Sequence, residues 1–356
     1  MEEDGLQNVS AFTSNNLRHL DNLTQEENLD SLLILYEIGV PSLIFLSVLS
    51  FLINGVILLA ILTSKNLLSF SSSNSYLLLI TSLVGSDMLT SLLLGGGLLF
   101  GSYLPIVFNM VFPMCFMLGK ECIRLSLVLT TILHLLFMVL LHAAGVSFPV
   151  KLKIVVTSKF IFISILLMWF VPLLVLIITF SSVSNELFMS ENCAEVSILQ
   201  TFSFRAYFVS AIFGPLTVIT ITYSYFHYVL SKRFNLSRSS RSIQRQNIRV
   251  AGITFLILLS CLLCWIPASV IHLVICPDGC LLSHLDIHPL TMFVLHASGN
   301  FMLIIKSIIN PLIFAMRHKE VRRSVNRFIK CETEKRRGRL SEKHVKYSMH
   351  SRTPIL

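Results

Sequence analysis

The chain has 356 residues, of which 54% are hydrophobic and 13% charged, with a mean hydropathy of +0.76 and a formal net charge of +9. Soluble chains carry about 25% charged residues, and disorder needs low hydrophobicity with high charge, so both classes are excluded. No collagen-like, heptad or short internal repeat appears, which leaves a polytopic membrane protein.

In chain order, residues 1–37 form an acidic segment with eight acids and one base, Arg18. It has neither a positive start nor an early apolar core, so no cleavable signal peptide is expected and the first span directs insertion. Seven apolar stretches follow, at 38–63, 74–99, 110–141, 154–180, 203–230, 248–275 and 289–315. Each is long enough to cross ~30 Å of hydrocarbon as a helix. Barrel strands would be about ten residues long with strict alternation, so helices, which satisfy their own backbone groups in lipid, are predicted. Residues 316–356 complete the chain. Within them 317–330 is amphipathic, with Val321, Val325 and Phe328 on one face and bases on the other. The expected fold is an all-α membrane protein, a seven-transmembrane helix bundle with an inner amphipathic eighth helix.

Charge sets the expected orientation. The loop at 231–249 carries six bases, including Arg249, and no acid, and the tail from 317 carries thirteen bases against four acids. The positive-inside rule puts these segments in the cytoplasm and the N-terminus outside. This asymmetry accounts for the net charge without nucleic acid, and the basic tail is matched to anionic membrane lipid. Sequons at Asn8 and Asn22 then fall outside, where glycosylation is chemically possible. Of eight cysteines, Cys115, Cys193, Cys276 and Cys280 fall outside or near the outer face, where disulfides persist. Cys276-Pro277-Asp278-Gly279-Cys280 has a turn between its thiols and reads as an intraloop disulfide or as two free thiols. Cys122, Cys261 and Cys264 lie within spans as small buried hydrophobes. Cys331, after the amphipathic run, is a candidate for palmitoylation.

Polar residues inside spans are costly and mark functional sites by default. Here they are Asn54, Asp87, Arg124, His134, Lys306, Ser307 and Asn310. Prolines 172, 215, 267 and 311 interrupt spans, and each removes a backbone donor. No zinc-ligand or nucleophile constellation appears, so no enzyme activity, metal or cofactor is expected. His134 is alone in its span, which fits packing or a helix–helix hydrogen bond.

These residues and their neighbours carry a resemblance. Leu83-Val84-Gly85-Ser86-Asp87 is similar to an L-A-x-x-D motif, and Trp169 to a fourth-helix tryptophan. Phe213-Gly214-Pro215 is followed by Tyr223, Cys264-Trp265-Ile266-Pro267 is an unaltered C-W-x-P, and Asn310-Pro311-Leu312-Ile313-Phe314 resembles N-P-x-x-Y. With Asn54 they occur in order, mostly one to a span, and over residues 38–331 the chain resembles the rhodopsin-class (class A) G-protein-coupled receptors. The resemblance implies a receptor that binds an extracellular ligand and signals through heterotrimeric G proteins.

Three departures qualify it. Leu141-His142-Ala143 stands where D-R-Y is expected, and His142 lacks the permanent charge and donor fork of an arginine. Phe314 replaces a tyrosine hydroxyl. Lys306 stands where the family has an asparagine beside a sodium site centred on its second-helix aspartate. Two readings of Lys306 are open: an ion pair with Asp87, or a cation that snorkels or bonds carbonyls. A retinal Schiff base would need the lysine six residues before Asn310, whereas Lys306 lies four before it.

By the same resemblance Cys193 bonds the outer end of the third helix. Family spacing lands on Met117, and Cys115, nearer the outer surface than Cys122, is the chosen partner. The ligand cavity is expected among Arg124, Tyr207, Trp265, His272, His296 and Asn300. Asn54, Asp87, Lys306, Ser307, Asn310, Pro311 and Phe314 form the switch region, and His142, Tyr223 and Arg249 the G-protein face. Arg124 either binds an anionic ligand bidentately or pairs with Glu121 one turn above it. An aspartate for a cationic amine is missing there. The rival to a signalling receptor is an atypical one that scavenges ligand or joins another receptor without coupling. A transporter fits less well, since no halves repeat.

Overall fold

A computed structural model describes residues 34, 36–63, 75–148, 154–236, 241–274, 289–317 and 321–330. It is a bundle of helices with no strand among those residues, and seven of the helices are long and apolar enough to cross a membrane. The chain thus has a multi-pass membrane architecture. The sequons at Asn8 and Asn22 and the cysteines 276, 280 and 331 lie outside the described residues.

The first helix spans Tyr36–Leu62. The second, Ser75–Leu98, runs through a π-helical turn at Leu99–Tyr103 into Leu104–Phe108, nine residues past the expected limit of 99. It stops at Asn109, whose φ of 53° is left-handed, a conformation that asparagine tolerates at a helix end. The third helix, Met114–Ser147, starts after Pro113 rather than at 110 and continues beyond the expected 141. Proline has no N–H to donate, so it fits at or just before a helix start, where that donor would have no helical acceptor, and is disfavoured in the interior. The fourth helix, Ser158–Ser182, begins four residues later than expected. Its cap explains the shift: the Phe160 amide donates to Thr157 Oγ1 at 3.2 Å.

The fifth helix, Phe202–Leu236, the sixth, Arg241–Val274, and the seventh, Pro289–Arg317, complete the bundle. The fifth and sixth outrun their apolar stretches because a polar turn continues a helix readily once outside hydrocarbon. Residues 321–330 are helical as well, with Val321 and Ser324 buried and Arg322, Arg323, Arg327 and Lys330 exposed.

The third helix packs against the second, fourth and fifth, and the sixth against the fifth and seventh. One core cluster runs the length of this assembly, from Leu187 and Cys193 through Ile132 and Trp265 to Phe314 and Val321. A smaller cluster of Val40, Leu43, Leu94, Leu98 and Ile304 holds the first helix to the second and seventh. Close approach there depends on Gly95, where an added Cβ would come within 2.9 Å of Ser47 Cβ.

The fourth helix shows how lipid shapes the exterior. Ile161, Ile165, Met168, Pro172, Leu176 and Phe180 face the bundle, while Ile163, Leu167, Phe170, Leu174 and Ile178 are exposed. Both stripes recur at helical spacing and both are apolar, as expected of a helix with protein on one side and acyl chains on the other.

Cys115 and Cys193 form a disulfide that ties the segment between the fourth and fifth helices to the start of the third. That segment folds into short 3-10 turns over Leu187–Met189, Glu191–Cys193 and Ser197–Gln200. Glu186 anchors it, since its carboxylate accepts from Ser197 Oγ and the Ile198 amide at 2.9 and 2.8 Å. Leu187 is fully buried beneath it.

Candidate functional site

The seventh helix carries Lys306 and Asn310 four residues apart, hence on one face. Both reach across to the second helix. Lys306 Nζ donates to Asp87 Oδ1 at 2.7 Å, and Asn310 Nδ2 donates to Asp87 Oδ2 at 3.0 Å. The Lys306 and Asp87 side chains are 4% and 1% exposed, so this is a buried ion pair with both carboxylate oxygens engaged. Of the two readings of Lys306, the structure has the pair.

Pro311 governs the next link. It has no amide to offer the carbonyl of Ser307 four residues earlier, and that carbonyl instead accepts from Asn54 Nδ2 at 2.9 Å. Asn54 Nδ2 also donates to Ser50 O at 2.9 Å. Ser91 Oγ donates to the backbone of Asp87 at 2.8 Å, so the Ser50 hydroxyl is the donor in its 2.7 Å bond to Ser91. Ser260 of the sixth helix reaches Asn310 Oδ1 at 3.4 Å. The first, second, sixth and seventh helices therefore meet in one polar cluster, with Asn54 Oδ1 buried and unpartnered inside it.

A cavity of about 280 Å³ lies in the half of the bundle nearest the disulfide. Arg124, Trp265, His272, His296 and Asn300 all line it. Tyr207 does not: it is 51% exposed on the outside of the fifth helix. The correction follows from helical geometry, because Arg205, Phe208, Val209 and Ile212 share the lining face at i, i+3, i+4 and i+7, and Tyr207 falls off it. A much smaller void continues from the cavity floor, sharing Arg124, Val128, Trp265 and Leu303 with it and reaching Lys306 and Ser307.

Arg124 pairs with Glu121. Its Nε donates to Glu121 Oε2 at 2.8 Å, and its Nη2 to Glu121 Oε1. Arg205, absent from the sequence-derived site, is 8% exposed and donates from Nη1 to His272 O at 3.0 Å. That carbonyl is in the last turn of the sixth helix, Arg241–Val274, where carbonyls accept from groups outside the helix. The signal was present in the sequence as a lone cation in the first turn of an apolar run.

Away from the cavity, His134 forms a helix–helix bond. Its Nδ1 stands 2.8 Å from Thr130 O, and a carbonyl only accepts, so Nδ1 carries the proton. Nε2 then accepts from Ser82 Oγ at 2.8 Å, and Ser82 Oγ accepts from Trp169 Nε1 at 2.9 Å. The second, third and fourth helices are joined by this chain. At the other end, His142 is half-buried within the third helix, Tyr223 stacks on Phe255 at 5.6 Å, and Phe314 is 2% exposed in the core. Arg249 lies in the sixth helix, with its side chain outside the described residues. Among the described residues no three His, Cys, Asp or Glu side chains are grouped to hold a metal.

No protein-family model matches the chain, and no curated protein matches it either.

Proposed function

We propose that this chain is a plasma-membrane receptor of the rhodopsin-like class, without catalytic activity, that binds an extracellular ligand and signals through heterotrimeric G proteins. The observation that carries the reading is a physical connection. The buried cluster of Asn54, Asp87, Lys306, Ser307 and Asn310 borders, through Trp265 and Arg124, the cavity in the half of the bundle nearest the disulfide. Ligand in that cavity would bias the packing of the sixth and seventh helices around Pro267 and Pro311, a population shift between two packed states.

In this reading the N-terminus is extracellular, with sugar on Asn8 and Asn22, and Cys276 and Cys280 are bonded. The basic loop, His142, Tyr223 and Arg249 face the G protein. The helix at 321–330 lies on the inner leaflet, with palmitate on Cys331.

A second reading has its own support. His142 in place of the arginine of D-R-Y, and Phe314 in place of a tyrosine, remove a permanent charge and a hydroxyl from the machinery that the resemblance implies. They favour a receptor that takes up ligand or joins another receptor without coupling.

Nucleotide exchange on G proteins in membranes expressing native chain or His142→Arg, at matched surface expression, separates the two. Exchange by the native chain above mock membranes supports signalling. Silence in the native chain with exchange in His142→Arg supports the non-coupling receptor. Silence in both is the behaviour of a tightly ligand-gated receptor, and direct ligand binding is then the measurement that decides.

A further inference from the structure

The cavity contains a guanidinium whose two edges are in different states. An arginine offers five N–H groups, of which Nε–H and one Nη2–H form one edge, and Nη1 with the other Nη2–H form the second. Glu121 takes the first edge of Arg124. The second edge has no acceptor among the described residues, although Arg124 lines both the cavity and the void at its floor. Glu121 therefore holds the plane of the guanidinium fixed and leaves a preorganised pair of parallel donors. A planar carboxylate matches that pair bidentately.

Trp265 adds an independent observation. It is 5% exposed and lines the same cavity and the same floor, and its Nε1–H is buried without an acceptor. Buried indole donors ordinarily find a partner. Two unused donors of different helices thus stand at the cavity floor, and among the described lining residues no unused carboxylate stands opposite them, since both Glu121 oxygens already accept from Arg124. The rest of the wall is mixed: Leu125, Val128, Phe204, Phe208 and Ile212 give it an apolar and aromatic side, and Arg205, Ser269, His272, His296 and Asn300 a polar one. The volume of about 280 Å³ is at the lower end of small-molecule sites, which run from ~300 Å³ upward.

We propose that this cavity binds a small carboxylic acid with an apolar or aryl body, its carboxylate held on the free edge of Arg124. The proposal rests on the receptor reading for its biological meaning, whereas its chemistry rests on the cavity alone. Glu121 is a positioning residue in it, and Arg124 is the binding residue.

The test uses purified full-length chain in lipid nanodiscs and matched triplets of carboxylate, primary amide and primary amine. The skeletons run from propionate through 4-phenylbutyrate to oleate. Binding is read as a concentration-dependent rise in melting temperature. Carboxylates are expected to bind and their amides and amines not. Arg124→Lys, which loses the fork, is expected to weaken carboxylate binding by about tenfold or more. Glu121→Gln keeps the cation and its donor fork but holds the plane less firmly, and is expected to weaken carboxylate binding clearly less than Arg124→Lys does. A merely structural Arg124–Glu121 pair would instead make the two substitutions equivalent. Where Arg124→Lys does not fold, the neutral double variant Glu121→Gln/Arg124→Gln leaves no unpaired ion and is expected to lose the carboxylate preference. Binding confined to short acids assigns a water-soluble ligand, and binding confined to long-chain acids one drawn from the membrane; either supports the proposal. Absence of binding by every carboxylate, amide or amine binding as tight, or a preference that survives both Arg124 substitutions overturns it. Carboxylate binding with no nucleotide exchange would leave the ligand class standing and defeat the signalling reading, and exchange without carboxylate binding would do the reverse.

Discussion

Asp87–Lys306 and Glu121–Arg124 are both carboxylate–cation pairs inside the bundle, yet they are built for opposite ends. Asp87 and Lys306 come from different helices, are almost wholly buried, and leave no oxygen of the carboxylate without a donor. Glu121 and Arg124 sit three residues apart on one helix with side chains 33% and 20% exposed. They leave one edge of the guanidinium without an acceptor. The first pair is a crosslink whose value lies in tertiary structure. The second stiffens a side chain without joining anything, and that is how a donor is presented to a cavity.

The sharpest way to break this comparison is to remove one partner from each pair. Lys306→Met leaves a buried carboxylate with only Asn310 to answer it and is expected to destabilise the chain by about 3–5 kcal/mol. Adding Asp87→Asn should recover most of that loss, because the double variant holds no unpaired charge. The measurement is thermal unfolding of purified chain in one detergent, and a double variant no better than Lys306→Met would show that the pair is not the crosslink. In the same preparation, exchanging choline chloride for sodium chloride is expected to leave the native melting temperature unchanged. It should raise that of Lys306→Asn, where a cation could enter beside Asp87.

An intermediate effect is expected in the all-neutral chain of Trp169, Ser82 and His134. Ser82→Ala removes the donor to His134 Nε2 and the acceptor for Trp169 Nε1 together, and should lower stability by about 1 kcal/mol. Trp169→Phe, which keeps the aromatic body, should lower it by less. Equal losses would show that packing and not the hydrogen bonds joins these three helices.

The smallest effect on stability belongs to the presenting pair. Glu121→Gln is expected to change unfolding by no more than about 0.5 kcal/mol, as for other ion pairs within one helix. A loss comparable with that of Lys306→Met would mean that Glu121 crosslinks the bundle as Asp87 does.

The number and order of spans was legible in the sequence, because stretches of twenty or more predominantly apolar residues have no other use in a chain this poor in charge. The polar residues at Asn54, Asp87, Lys306 and Asn310 were legible too, since a strongly polar side chain in hydrocarbon must find a partner. Local chemistry moved the limits of the spans. Pro113 delays the third helix, Thr157 caps the fourth, and the second runs on through a π-helical turn that no periodicity announces. The lining of the fifth helix was misassigned at Tyr207 because apolar residues surround that helix on every side. Hydrophobicity then carries no azimuth.

What the sequence determined by itself is therefore the set of elements and of groups that cannot stay unpaired. Backbone satisfaction in lipid and the cost of a buried charge act on each residue wherever its neighbours are. Tertiary structure decided the partners: Lys306 with Asp87, Asn54 with the carbonyl that Pro311 leaves free, Arg205 with the end of the sixth helix. It also decided which face of an all-apolar helix turns inward and which donors remain at the floor of the cavity. Those outcomes depend on the rotation and depth of one helix against another, which side-chain interlocking sets at residues far apart in the chain.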